Sequence, residues 1–306
     1  MRAMSPNDKR LGGLRRFAIG ISLLNLFGYT VLGFEPPLLQ PLVALATAYA
    51  LELGLELLDA RAGERPPRFA GGLQNLIDFL LPAHITALAL SMLLFANDRM
   101  LPIVFGTAVA IASKRLLRVS SASGWKHVMN PSNLGIAVVL LLFPSVGIAP
   151  PYQFTENFTG AWHWLVPAII LLTGSFLNAR FSGRVPLILA WLAGFAAQAG
   201  VRAAAGAAIE PFVPMTGAAF VLFTMYMITD PSTTPFARRA QICFGLATAA
   251  VYGALMALHV AFGLFFALSA VCALRGVVLL AASLSRGRAA AQSREALAPV
   301  PAARAS

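Results

Sequence analysis

Ten stretches of mostly apolar residues, parted by short polar segments, run along the chain at 17–34, 38–58, 76–96, 100–115, 132–149, 162–178, 185–201, 215–229, 241–257 and 262–283. A helix needs roughly 20 predominantly apolar residues to cross a bilayer core. With no water inside that core, each span must satisfy its backbone internally, and helices do so. The pattern therefore predicts an all-α polytopic membrane protein of about ten transmembrane helices. The last two spans share one apolar run, divided only near His259 and Gly263. Three regions follow: a tail at 1–16, a transmembrane domain at 17–283, and a tail at 284–306. This last segment is rich in Ala and Arg, with Pro and no apolar face, which predicts disorder.

Charge orients the pattern. With the N-terminus in the cytoplasm, 20 of the Lys and Arg residues fall in cytoplasmic segments, only Arg99 and Arg202 fall outside, and Arg275 lies within the last span. Such a bias is the positive-inside signature. It places both termini in the cytoplasm and the chain in the cytoplasmic membrane. Losing one helix would spoil the alternation, so the bias supports ten spans. Ten divides as five and five, which permits two inverted five-helix repeats. The composition agrees: 58% of residues are hydrophobic and 11% charged, against about 25% charged in soluble domains. The net charge of +11 sits between apolar runs, which argues against nucleic acid as a partner and for the lipid bilayer. Cys243 and Cys272 fall inside apolar runs at no metal-ligand spacing. The basic start before Phe17 has the outline of a signal peptide, but Glu35-Pro36-Pro37 is a poor cleavage site, so a retained first span is expected.

Candidate chemistry lies where polar residues meet span ends. Ser113-Lys114-Arg115 leads through a short loop to Lys126-His127-Val128-Met129-Asn130-Pro131-Ser132-Asn133. Asn before Pro reads as a helix N-cap with Pro in the first turn. It serves either as a well-capped helix or as a helix N-terminus facing a polar ligand. Met227-Ile228-Thr229-Asp230-Pro231-Ser232-Thr233 closes the eighth span. A carboxylate at a helix C-terminus opposes the dipole and needs another partner. Asp230 either caps the next turn through Ser232 or Thr233, or orients a ligand. One inner-face pocket is expected, lined by Asn130, Pro131, Asn133, Thr229, Asp230 and Thr233, with Lys114 or His127 at its rim. Intramembrane ionisable groups are functional candidates by default. Glu52, His84 and Arg275 are such groups, with Glu52 a partner open to Arg275. Glu56 and Asp78 sit close enough to the inner surface to be hydrated. No nucleotide loop, zinc spacing or nucleophile elbow occurs, and no stand-alone catalytic motif is present.

The ordered run Ser113-Lys114-Arg115, His127, Asn130-Pro131-Ser132-Asn133 and Met227-Ile228-Thr229-Asp230-Pro231 resembles the membrane subunits NqrB and RnfD of ion-pumping flavin electron-transfer complexes. Three further stretches resemble the UnbU-type branch of enediyne gene clusters: Leu81-Pro82-Ala83-His84-Ile85-Thr86, Ala149 to Asn157, and Phe223-Thr224-Met225-Tyr226-Met227. The resemblance implies ten helices in two inverted halves and an electron- or ion-transport component working with redox partner subunits or biosynthetic enzymes. It also implies flavin, bonded in the family to the last residue of a Ser-Gly-Ala-Thr motif. The matching place reads Thr159-Gly160-Ala161-Trp162. Trp162 has no hydroxyl, so covalent FMN is not expected and a non-covalent flavin stays open. The alternative is a transporter or channel for a small solute or natural product, without a redox cofactor.

Overall fold

In the computed structural model, residues 6–121, 124–207 and 210–296 are described. Their order is α1 (Pro6–Phe27), α2 (Leu39–Ala62), α3 (Leu73–Leu93), β1 (Leu94–Phe95), α4 (Met100–Leu116), β2 (Arg118–Ser121), β3 (Gly124–His127), α5 (Pro131–Leu142), β4 (Gly147–Ile148), α6 (Leu165–Leu177), α7 (Val185–Arg202), α8 (Ala218–Leu222), α9 (Arg238–Ala257) and α10 (Gly263–Ala296). Six of the helical stretches are long and apolar enough to cross a membrane: Leu39–Ala62, Leu73–Leu93, Gly160–Ser182, Val185–Gly206, Arg238–Ala257 and Gly263–Ser285. The chain is thus a helical, multi-pass membrane protein.

Of the four predicted spans outside these six, 17–34 and 100–115 are helical, as α1 with its π-turn extension and as α4, and two are realised differently. In place of 132–149, α5 stops at Leu142, and the chain then turns into β4, which pairs antiparallel with β1. In place of 215–229 the apolar helix is only Ala218–Met227, α8 continued by a π turn. At 1.5 Å per residue these rods reach about 18 Å and 15 Å, less than a hydrocarbon core of about 30 Å. Hydropathy counts apolar residues and does not register where the backbone turns.

The predicted tails differ too. Helix α1 begins at Pro6, well inside the segment 1–16, and α10 runs on through 284 to Ala296. Residues 297–306 lie outside the described residues. The division between the last two spans near His259 and Gly263 is present. His259 and Phe262 take left-handed φ angles of 56° and 58° there, between the end of α9 and the start of α10.

Small residues bring the helices together. Without a hydrophobic drive between helices in lipid, close backbone approach matters more. A Cβ on Gly135 of α5 would meet the Gly106 carbonyl of α4 at 2.4 Å, and one on Gly245 of α9 would meet the Leu187 carbonyl of α7 at 2.7 Å. Around Trp191 of α7, the rings of Phe195, Phe220, Phe223 and Tyr252 pack at centroid distances of 5.4–6.3 Å. The Trp191 indole N–H donates to Thr224 Oγ1 at 3.0 Å, which satisfies its one polar atom in the buried core.

Candidate functional site

The loops at one end of the molecule are basic. There the hairpin β2–β3 follows α4, and Lys126 and Arg184 both lie over the ring of Phe236. Arg184 is 1% exposed. Its Nε donates to Thr234 Oγ1 at 2.8 Å and its Nη2 to the Pro231 carbonyl at 3.2 Å. Burial pulls its pKa below the ordinary value, the Asp230 carboxylate opposing, and a guanidinium stays charged regardless.

Next to this surface, α5 and the turn after α8 meet. Asn130 caps α5, its Oδ1 accepting from Asn133 N–H at 3.0 Å, while its Nδ2 donates to the Met227 carbonyl at 2.9 Å. One side chain therefore caps one helix at its start and binds a freed carbonyl at the other's end. Asp230 takes the capping role foreseen for it, accepting from Ser232 N–H at 3.1 Å and Thr233 Oγ1 at 2.9 Å. Thr229 Oγ1 returns to the Met225 carbonyl at 2.7 Å. Asn133 donates to the Phe265 carbonyl and Ser269 Oγ, and Arg275 donates to the Thr233 carbonyl at 2.8 Å. These are positions along α10, so the junction is braced against that helix.

Glu52 belongs to a different cluster and does not pair with Arg275. It stands 3.5 Å from Lys114 and 3.8 Å from Arg115. One and two turns further along α2, Glu56 and Asp59 also pair with Arg115. Spacings of four and three residues put all three carboxylates on one face, opposite the basic end of α4. Glu56 is not hydrated at the surface. Its side chain is fully buried, accepting from Arg65 Nη1 at 2.6 Å and from the Arg68 backbone N–H at 2.9 Å. Asp78 is bonded as well, by Arg15 through both guanidinium donors.

His84 of α3 lies within a third polar group. Its Nδ1 is 2.6 Å from the Tyr49 hydroxyl and its Nε2 is 2.7 Å from Ser22 Oγ. Ser22 donates to the Ala18 carbonyl at 2.7 Å. That leaves its oxygen to accept from Nε2–H and assigns Nδ1 as the acceptor from tyrosine.

Between these groups lies a cavity of about 2550 Å³. Of the expected pocket residues, Asn130, Pro131, Thr229, Asp230, Lys114 and His127 line it, and Glu52 does so too. Lys114 is inside, with its side chain only 13% exposed, not on a rim. Asn133, Thr233, His84 and Arg275 do not line it; Asn133, His84 and Arg275 bond between segments, and the Thr233 hydroxyl closes the Asp230 turn. Sequence reasoning missed Asp59 and Arg184. The Glu52-Glu56-Asp59 spacing was a signal for the first, whereas nothing local marked Arg184 as buried.

No protein-family model matches the sequence. Similarity instead reaches a protein of several Salmonella. The chain is 28% identical over 201 residues to the "Putative multidrug resistance protein MdtD" of Salmonella heidelberg (strain SL476), and equally to those of Salmonella newport (strain SL254) and Salmonella typhi. The aligned region is 58% of this chain and 39% of the Salmonella protein, so the chain spans about two fifths of the length of the relatives it matches.

Proposed function

We propose that the protein is a multi-pass transporter that moves a small solute or natural product through the central cavity. The observation carrying this reading is the cavity itself, walled partly by two helices too short to cross. Broken helices at membrane depth are tolerated where protein or a water-filled space satisfies the freed groups, and transporters place polar binding sites at such ends. The similarity to MdtD supports the same reading. Ten helical segments in two inverted halves with both termini in the cytoplasm, α5 and the α8 segment entering the membrane as the two short members, is the arrangement that fits this path. Purified protein reconstituted in vesicles should accelerate the movement of amphiphilic test compounds over empty vesicles. Equal rates across a broad set of compounds would overturn the proposal.

A second reading is a flavin- or quinone-associated electron-transport component, as the NqrB and RnfD resemblance implies. What favours it is the start of α5 beside Lys114 on the cavity. The positive end of a helix dipole and a cation suit a phosphate or an anionic ring edge. Asn130, Lys114 and His127 would hold the polar edge of a non-covalent flavin, which would supply redox chemistry. Covalent FMN is not part of this reading, because Trp162 offers no hydroxyl. Absorbance of the purified protein tests it: no flavin band, and no flavin released on denaturation, would remove it.

A further inference from the structure

We propose that the cavity is filled from the side, by a membrane-dissolved amphiphile with a single acidic headgroup that passes between α1 and α6 and seats its head at Lys114. The proposal rests on the transporter reading and adds the substrate class and the entry route.

The route is a slit with closed ends. On α1 and its π-turn extension, Leu23, Phe27 and Val31 line the cavity, yet are 47%, 52% and 46% exposed. On α6, Ile169, Leu172 and Phe176 also line it and are 50%, 70% and 58% exposed. Side chains that face the cavity and the outside at once are lips, not a wall. Among the described residues no hydrogen bond, ion pair or ring contact joins α1 to α6. Links between the two regions lie toward the two ends of this stretch. At the basic end Arg16 of α1 sits 5.2 Å over the Phe181 ring, and Phe17 of α1 stacks at 5.1 Å on Tyr226, whose hydroxyl is 2.6 Å from Thr173 Oγ1 of α6. At the other end Asn157 Nδ2 donates to the Val31 carbonyl at 3.0 Å. The open stretch is therefore apolar, bounded at both ends and level with the bilayer core, so it admits lipid-soluble molecules and not hydrated ions.

The headgroup follows from charge. Six Lys and Arg side chains line the cavity, against three carboxylates: Glu52, Asp59 and Asp230. Asp59 is held by Arg115 and Asp230 by its own turn. Among the described residues, Lys114 is a buried cation that is incompletely served. Its ammonium stands 3.5 Å from Glu52 Oε2, yet neither atom has a hydrogen-bond partner. An ammonium carries three donors, and a buried charge without hydrogen bonds is costly. A carboxylate or phosphate head would supply the acceptors, with its tail along the apolar lining toward the slit.

The test is photolabelling in phosphatidylcholine vesicles with a diazirine-bearing palmitate, followed by mass mapping. Label should concentrate in 23–31 and 169–176, and excess palmitate or phosphatidic acid should compete while hexadecanol should not. Whichever acid competes better identifies the source of the head as free fatty acid or phospholipid. Lys114→Gln should weaken labelling by about tenfold, a typical loss for one charge-assisted hydrogen bond, and Lys114→Arg should largely retain it. Tryptophan at both Leu23 and Leu172 should slow labelling without changing its final extent. Equal competition by hexadecanol, or label spread evenly over all lipid-facing helices, overturns the proposal. If Lys114→Gln fails to fold, competition on the unaltered protein still decides. Specific labelling in vesicles that transport nothing would leave this site standing and remove the transporter reading instead.

Discussion

Glu56 and Asp230 are both carboxylates beside basic residues, yet their substitutions should have different costs. Glu56 is fully buried and bonded to Arg65 and the Arg68 backbone, with Arg115 3.5 Å away. Removing one partner of a buried pair leaves uncompensated charge, so Glu56→Ala should cost about 3–5 kcal/mol. A fall in thermal unfolding midpoint in detergent, with reduced folded yield, is the expected reading. Asp230 closes a local turn with acceptors that Asn can largely reproduce. Asp230→Asn should therefore shift stability by only about 1 kcal/mol, with normal folded yield. A loss comparable to that of Glu56→Ala would mean that the carboxylate holds more than its own turn.

Among the elements, glycine pairs set how closely helices approach. Gly135→Ala forces a methyl against the Gly106 carbonyl, a backbone atom that cannot swing aside. The outcome should be separation of α4 and α5, seen as loss of monodisperse protein on size-exclusion chromatography. Gly54 in α2 is the control, since a Cβ there meets nothing within 4 Å. Gly54→Ala should leave stability unchanged or raise it by up to about 1 kcal/mol, through helix propensity alone. Helix α5 is short for a related reason. Its first turn is fixed by Asn130 and its end is fixed by the turn into β4.

For the whole molecule, orientation is the testable property. Reporter fusions after Arg68, Arg118, Arg184 and Arg239 should report the cytoplasm, and fusions near Asn97, Thr155 and Ala207 the outside, as the charge bias requires. The structure adds a consistent clustering: Arg16, Arg115, Lys126 and Arg184 reach Phe181, Asp59 and Phe236 at one end. Arg99 bonds Ser145 beside the β1–β4 pair that closes α3 and follows α5. An outside signal at Arg118 would reverse the assignment of the cavity's cationic end.

The sequence by itself determined that the chain is helical and lives in lipid, because apolar run length and Lys/Arg placement are local quantities that one dimension records fully. It also marked Asn130, Asp230 and Lys114, since a cap before proline, a carboxylate at a helix end and a cation after an apolar run are local anomalies. Only the tertiary structure decided their partners. Glu52 turned to Lys114 and not to Arg275, because α2 faces α4. Asn133 and Arg275 went to bracing α10, and the Thr233 hydroxyl to the Asp230 turn, instead of the cavity. That α5 and α8 stop short, and that among the described residues no hydrogen bond or ring contact joins α1 to α6, were likewise set by packing between segments far apart in the chain. Apolar patterning treats every lipid-length run alike and carries no information about which neighbours a helix finds.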